Sequence, residues 1–124
     1  MPVKFKGFSV TVDSAEPQKS ADFYAQLMGW KIGEAYGFPL ITDPSGNWSV
    51  LFSRDDFQYE PPVWPEQAGK QQKQMHFDIM VEDLAVAIEL AESLGGKKAP
   101  EQYLGDHGVA MLDPEGRVFD LLQA

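Results

Sequence analysis

The stretch HFDIMVEDLAVAIELAESLGGK, residues 76–97, joins a strand pattern to a helix pattern. Residues 76–81 alternate between polar and apolar side chains, which is typical of a strand with one buried face. Asp83 then stands where a helix N-cap is expected, apolar residues recur at helical spacing, and Gly95 is a stop signal. The stretch therefore predicts a β-strand followed directly by an α-helix.

The first part of the chain has the same order of patterns. Residues 5–13, FKGFSVTVD, alternate like a strand, with Phe8, Val10 and Val12 on one face. The stretch EPQKSADFYAQLMGW, residues 16–30, predicts a helix that begins at Pro17 and ends at Gly29. A strand and a helix are thus predicted in each half of the chain.

Each half continues with short segments that favour strands. The turn DPSG at 43–46 recurs as DPEG at 113–116, and a proline and a glycine at these positions favour a tight turn. An internal repeat is therefore predicted, in which two small halves, about 1–54 and 75–124, share one core within a single domain, 1–124. The remaining predicted strands are WKIGEAY (30–36), FPLITD (38–43), NWSVLFSR (47–54), KKAPEQYL (97–104), HGVAML (107–112) and RVFDLLQ (117–123).

Residues 55–74 form the long connection between the halves. Pro61, Pro62 and Pro65 argue against a central strand here. Trp64 stands between these prolines, and it has two interpretations, a lid over a cleft or a plug that covers a sheet edge or a partner subunit. We therefore predict a Pro-rich linker whose role the sequence leaves open.

Composition restricts the classes of function. A chain of 124 residues with 44% hydrophobic and 23% charged residues is typical of one globular domain. The net charge of −9 and the scattered basic residues argue against nucleic acid as a partner. Without a bilayer-length apolar run or a secretory signal pattern, the sequence predicts a cytoplasmic protein that has no membrane partner. The lack of cysteine excludes disulfides, thiol nucleophiles and thiolate metal sites.

The repeated strand, helix and turn segments together resemble the vicinal oxygen chelate superfamily. This superfamily includes glyoxalase I, bleomycin-resistance proteins and extradiol dioxygenases. The pattern Pro-x-x-Ser-x-x-Phe-Tyr-x-x-Leu-x-Gly-Trp in residues 17–30 is the most specific part of the resemblance, and DPEGRVFDLL at 113–122 supports it. The resemblance covers essentially the whole chain.

The resemblance implies an α+β fold in which two βαβββ modules form a curled, cup-shaped mixed sheet with helices outside and a ligand cavity inside. It also implies a homodimer. In metal-using members the ligands fall on positions that correspond here to Ser9, His76 and Asp120. Only His76 matches that set outright, because Asp120 is a shorter carboxylate and a serine hydroxyl binds divalent metals poorly. We therefore expect no intact metal triad and no required cofactor; if a divalent ion is bound, His76 and Asp120 are the expected ligands.

The alternation of the two related strands places their polar residues on the face that would line this cavity. His76, Asp78 and Met80 share one face of the second-half strand, and Ser9 and Thr11 fall on the equivalent face of the first. The competing interpretation is that these are ordinary solvent-facing strand residues. For His76 the alternatives are an acid–base group acting with Asp120, or a structural histidine that donates a hydrogen bond to Asp120. A facial metal site that adds His107 is disfavoured, because His107 lies in a glycine-flanked turn.

Aromatic residues could supply the apolar wall of a pocket. Counting from the repeated turn, Val50 is the expected first-half counterpart of Asp120. Trp48 and Phe52 share its strand face, so they are the preferred wall residues. The wider aromatic set is Trp30, Trp48, Phe52, Phe57, Tyr59 and Tyr103.

Together with these residues, the resemblance implies a small-molecule-binding protein with a degenerate metal site. Its predicted catalytic residues are His76 and Asp120, and binding of an aromatic or hydrophobic compound would need no metal. Two alternatives stay open: a metal-dependent lyase, isomerase or dioxygenase, and a non-catalytic interaction protein whose cavity has closed. The predicted ligand-binding residues are Ser9, Thr11, Trp48, Phe52, Asp78 and Met80.

Overall fold

The computed structural model describes residues 2–54 and 58–124, and it divides into two compact units. The first module is Met1–Tyr59 and the second is Glu60–Ala124. Each contains one long helix and one four-stranded mixed sheet, so the predicted α+β class with two βαβββ modules is confirmed. Residues 60–74, predicted as linker, belong to the second module, whereas Phe57 lies outside the described residues.

The first module follows the predicted order of elements. Its sheet order is β1-β4-β3-β2, with β1 parallel to β4 and the other neighbours antiparallel. The elements are β1 (Phe8–Asp13), α1 (Pro17–Met28), β2 (Lys31–Ala35), β3 (Phe38–Thr42) and β4 (Trp48–Ser53).

Helix α1 begins and ends where the sequence predicts. Pro17 occupies the start, and Gly29 follows the last turn with a φ of 71°, a left-handed conformation that glycine adopts without steric cost. The helix packs on its own sheet through Tyr24, whose ring lies nearly parallel to that of Phe52, with ring centroids 5.7 Å apart. Both side chains are fully buried, so this pair is at the centre of the first core.

The second module repeats the arrangement of the first. Its sheet order is β5-β8-β7-β6, again with one parallel pair, β5 with β8. Neither helix in residues 2–54 and 58–124 combines the length and the apolar content that crossing a bilayer requires. The elements are β5 (Phe77–Val81), α2 (Leu84–Ser93), β6 (Lys97–Lys98), β7 (Gly108–Leu112) and β8 (Val118–Gln123), with a 3-10 turn at Gly105–His107.

The predicted capping of α2 is confirmed. The Asp83 carboxylate accepts a hydrogen bond from the backbone N–H of Val86 at 3.1 Å, which satisfies one of the free donors at the helix start. Gly95 follows the helix with a φ of 103°. Local sequence signals therefore determine both ends of this helix.

The two Asp-Pro-x-Gly turns have the same backbone geometry, as expected for corresponding turns of a repeat. In each, the glycine N–H donates to the aspartate carbonyl at 2.9 Å, between Gly46 and Asp43 and between Gly116 and Asp113. The φ angles of the two glycines are 80° and 82°. The second turn is further held by Arg117, whose buried guanidinium lies 2.6 Å from the Asp113 carboxylate.

The strand predicted over 97–104 is much shorter in the structure, where β6 is Lys97–Lys98 alone. Pro100 lacks the N–H that a ladder needs. The Gln102 side chain takes over some of the pairing with β7, because its amide donates to the carbonyl of Ala110 at 2.9 Å and accepts from the N–H of Ala110 at 2.8 Å. The backbone of residues 99–104 is thereby released from regular strand geometry.

The two hairpins differ by one residue, and this changes the facing of β4. The paired strands are separated by residues 43–48 in the first module and by the shorter 113–117 in the second. Since strand side chains alternate, one additional loop residue moves every later side chain to the opposite face. Counting from the turn therefore fails for β4.

Strand pairing identifies the true counterpart of Asp120 in the first module. Asp120 pairs with Asp78 across the parallel ladder of the second module, and Leu51 pairs with Thr11 in the corresponding ladder of the first. The prediction that Val50 corresponds to Asp120 is thus wrong by one position. At this position of the ladder the first module has Leu51 and the second module has Asp120.

Candidate functional site

Three of the predicted site residues meet on the second module. His76 immediately precedes β5, Asp78 lies two residues further along, and Asp120 is opposite Asp78 on β8. The alternation of the strand places His76 and Asp78 on one face. The imidazole Nε2 lies 3.2 Å from Asp78 Oδ1 and 3.3 Å from Asp120 Oδ2, so one nitrogen is within reach of both carboxylates.

The three side chains differ in their access to solvent. The exposed fraction is 30% for the His76 side chain and 51% for Asp78, but only 3% for Asp120. A molecule arriving from solvent would therefore meet the imidazole and Asp78 first. Asp120 lies behind them and orients the histidine from its buried side.

Tyr103 is a fourth member of the cluster, and the sequence had indicated it only as a general pocket aromatic. Its hydroxyl donates to Asp120 Oδ2 at 2.7 Å. That oxygen is also the one closest to His76, so the carboxylate connects the phenol to the imidazole. No spacing rule signals this contact, because Tyr103 lies in the irregular segment between β6 and β7.

The environment of Asp120 favours its neutral form. Burial, the largest effect, raises the pKa of this carboxyl above its ordinary value of 3.8, and the neighbouring Asp78 raises it further. The hydrogen bond from Tyr103 and the charge of His76 act in the opposite direction without overcoming the rise. The pKa of Tyr103 is itself raised, first by burial of its hydroxyl and then by Asp120.

The second oxygen of the Asp120 carboxyl group differs from the first. Asp120 Oδ1 is buried and has no hydrogen-bond partner among the described residues. A buried acceptor without a partner costs free energy, so such atoms in native proteins often mark a functional position. His76, Asp78 and Asp120 also offer three metal-binding atoms that lie within 4.8 Å of one another.

The other predicted ligand-binding residues are dispersed. Met80 is 66% exposed, on the same face of β5 as His76 and Asp78. Ser9 and Thr11 are exposed on β1 of the first module. Trp48 is half-exposed, with its ring centroid 5.6 Å from that of Phe8, whereas Phe52 is buried under α1.

Phe52 belongs to the core of the first module, so it is not part of the proposed ligand site. Its ring is covered by Tyr24 and has no exposed surface to offer a ligand. The aromatic prediction relied on the incorrect equivalence of Val50, and the additional hairpin residue is the physical reason for the difference. His107, as predicted, is an exposed residue of a turn.

The raised pKa of Asp120 predicts how stability depends on pH. A carboxyl whose folded pKa exceeds its unfolded value stabilises the fold at low pH, and this stabilisation is lost as pH rises through the folded pKa. The variant Asp120→Asn cannot ionise, and its amide oxygen can still accept from Tyr103. We expect it to raise the free energy of unfolding by about 1 kcal/mol at pH 8 and to have little effect near pH 3, below the ordinary aspartate pKa, as measured by urea denaturation.

Asp106→Asn is the matched control, since Asp106 is an exposed aspartate of the same module. We expect a change within about 0.5 kcal/mol at both pH values. An Asp120→Asn effect of equal size at pH 3 and pH 8 would contradict the assignment of the pH dependence to this carboxyl.

Comparisons with known proteins agree with this architecture. A family model for the glyoxalase-like domain matches residues 9–122. Among curated protein sequences, none matches this chain. Similar solved structures share the fold at low sequence identity.

Three of these structures cover nearly the whole chain. A glyoxalase/bleomycin resistance protein/dioxygenase family enzyme from Burkholderia phytofirmans PsJN is 13% identical, with a TM-score of 0.68, over 93% of this chain and 95% of its own. Oxidase ChaP-H2 is 18% identical, with a TM-score of 0.61, over 100% and 95%. TnmS3, an antibiotic binding protein from Streptomyces sp. CB03234, is 17% identical, with a TM-score of 0.58, over 98% and 96%. The modules, their strand order and the matched family model together show that this chain belongs to the glyoxalase-like domain family of the vicinal oxygen chelate superfamily.

Proposed function

We propose that this protein binds a small molecule at the second module, with His76 as the group that contacts it. The observation that carries the proposal is the position of the imidazole, whose Nε2 is held between Asp78 and Asp120 at 3.2 and 3.3 Å. Two carboxyl groups beside one nitrogen restrict the orientation of the ring and offer acceptors for its N–H. The histidine is therefore pre-organised for a polar contact.

The exposed residues around His76 suggest what the ligand offers. Asp78 is half-exposed and can accept a hydrogen bond, while Met80 presents an adaptable apolar surface on the same face. A compound with a polar group beside an aromatic or hydrophobic body suits this combination. Ser9, Thr11 and Trp48 of the first module remain predicted contacts.

Binding of this kind needs no metal. The first module has no strong metal ligand at the two corresponding positions, because Ser9 has a neutral hydroxyl and Leu51, the equivalent of Asp120, has no ligand atom. The fold is compatible with binding as a function, since TnmS3 is described as an antibiotic binding protein. His76 and Asp120 could also move a proton on a carbonyl or enol compound, because His76 is the more exposed member of a pair whose Nε2 and Oδ2 atoms lie 3.3 Å apart.

A metal-dependent lyase, isomerase or dioxygenase is the second candidate. It is favoured because one ligand atom each of His76, Asp78 and Asp120 lies within 4.8 Å of the others. Asp78 is the third ligand, which the sequence alone did not identify. One imidazole nitrogen and two carboxylate oxygens suit first-row divalent ions, and the unpartnered Asp120 Oδ1 is a further buried acceptor. These residues fit such an ion, which when bound would act as a Lewis acid toward a substrate oxygen.

Elemental analysis and a thermal-shift screen would distinguish the two candidates. Protein purified without chelator is expected to contain far less than one equivalent of Mn, Fe, Ni or Zn. Aromatic metabolites that raise its Tm are expected to do so equally with and without EDTA, because a ligand that binds only the folded state stabilises it. Near-stoichiometric metal, or binding abolished by EDTA, would favour the metal-dependent candidate instead.

Two other expectations accompany this proposal. The homodimer implied by the family resemblance is to be measured by light scattering coupled to size-exclusion chromatography. A cytoplasmic location is to be measured by cell fractionation. An interaction protein without a ligand, the third possibility, would be favoured if no compound or metal in the screen changed the Tm.

A further inference from the structure

The Pro-rich segment, residues 60–74, is attached to the second module at several points. The Trp64 indole N–H donates to the carbonyl of Glu101 at 3.3 Å, and its ring packs edge-on against Tyr103 with centroids 5.3 Å apart. The Lys73 ammonium lies 4.4 Å from the centre of the Trp64 ring and forms an ion pair with Glu66. Three contacts thus hold Trp64, and its ring touches that of Tyr103 on one side.

The segment is also closed on itself and close to the β7–β8 turn. The N–H of Val63 donates to the carbonyl of Gln71 at 2.9 Å, which ties the two ends of the segment together. Pro61 lies so near the turn that a Cβ added to Gly116 would be 3.0 Å from the proline Cβ. Prolines also reduce the number of conformations that an unattached segment can adopt. The position of Trp64 is therefore well determined.

Tyr103 joins this segment to the functional cluster. Tyr103 is 47% exposed, so few contacts hold its orientation, and Trp64 supplies one of them. Its hydroxyl reaches inward to Asp120 Oδ2 at 2.7 Å, and the same oxygen lies 3.3 Å from His76 Nε2. A continuous series of contacts thus runs from Trp64 through Tyr103 and Asp120 to His76.

We infer that Tyr103 is a positioning residue for the Asp120–His76 pair and that Trp64 holds Tyr103 in place, which makes residues 60–74 part of the site. Hydrogen bonds behind an active histidine commonly fix its orientation, and their loss changes its behaviour without a change in the histidine itself. The consequence for ligand binding depends on the function proposed above. The coupling itself is a property of the free protein and can be measured without a ligand.

The test uses diethyl pyrocarbonate, which modifies accessible histidines, as a probe of His76 at one fixed pH. Tyr103→Phe keeps the ring and removes the hydroxyl, so the Asp120 carboxyl group loses the contact that fixes its orientation and can turn away from the imidazole. We expect the modification rate of His76, followed by peptide mass spectrometry, to rise by about fivefold, the factor that matches loss of one net hydrogen bond. His107, the exposed second histidine, is the internal reference and is expected to react at an unchanged rate.

Trp64 is tested by a pair of variants. Trp64→Ala is expected to raise the His76 rate as Tyr103→Phe does, and Trp64→Phe, which retains an aromatic ring against Tyr103, is expected to restore most of the wild-type rate. Tyr36→Phe is the matched control, since Tyr36 is 91% exposed in the first module. Far-UV circular dichroism verifies that each variant is folded.

An unchanged His76 rate in folded Tyr103→Phe would overturn the inference. An unchanged rate in Trp64→Ala, with a raised rate in Tyr103→Phe, would overturn the part assigned to residues 60–74. If only the proposed function fails, the modification rate of His76 still rises in Tyr103→Phe. In that case no compound binds in a way that depends on His76.

Discussion

Replacing Phe52 by alanine is expected to lower the free energy of unfolding by about 3–5 kcal/mol, the usual cost of removing a buried phenylalanine. Phe52 is fully buried, and its ring stacks on Tyr24 of α1, so the variant loses both apolar burial and an aromatic contact. Since domains of this size are stable by only about 5–15 kcal/mol, the loss is a large fraction of the total. Urea denaturation followed by circular dichroism measures it.

The matched control for this substitution is Phe8→Ala on the neighbouring strand. Phe8 is half-exposed and touches Trp48 at the surface, so we expect a loss below about 1 kcal/mol. The comparison also tests the facing of β4. A Phe52→Ala variant that kept wild-type stability but lost ligand binding would indicate a pocket wall and contradict the core position.

Replacing His76 by alanine is expected to weaken binding of any compound identified by thermal shift by about ten- to hundredfold, the range for losing a hydrogen bond to a charged group. The imidazole is the exposed centre of the cluster, and neither Asp78 nor Asp120 can substitute for its N–H donor. Isothermal titration calorimetry with the identified compound measures the change. If that compound is also a substrate, its turnover is expected to disappear.

His107→Ala is the control for this prediction, because it removes the other histidine of the chain from an exposed turn. Its affinity and turnover are expected to equal those of the wild type. Equal affinity in His76→Ala and wild type would rule out His76 as the contact group, provided that circular dichroism shows the variant to be folded.

Much of the fold was predictable because local chemistry determines it. Pro17 and Gly29 delimit α1, Asp83 caps α2, and the glycines of the two Asp-Pro-x-Gly turns adopt the left-handed conformation that the turn requires. The alternation around His76 also predicts that His76, Asp78 and Met80 share one face of their strand. These signals act over a few residues, so a single sequence contains them.

The facing of β4 was not predictable in the same way. A repeat indicates which strands correspond, but an alternating strand makes the correspondence of individual residues sensitive to one position in a loop. The hairpin at 43–48 has that additional residue, and Phe52 is consequently in the core. Only strand pairing, which is a long-range property, reveals the shift.

The role of Tyr103 also could not be predicted from the sequence. The alternation that identifies strand residues stops at Lys98, and Gln102 replaces ladder contacts with its side chain. In the irregular segment after Lys98, tertiary contacts rather than residue spacing determine which groups a side chain meets. The same holds for Trp64, whose contact with Tyr103 crosses almost forty residues of chain, as the hydrogen bond to Glu101 shows.

The parallel ladder between β5 and β8 has a consequence for how this protein tolerates change. His76, Asp78, Tyr103 and Asp120 all belong to the second module, and the pairing of Asp78 with Asp120 fixes their spacing within one sheet. One additional residue in the 113–117 hairpin is therefore expected to turn Asp120 to the opposite face of β8, away from Asp78 and His76.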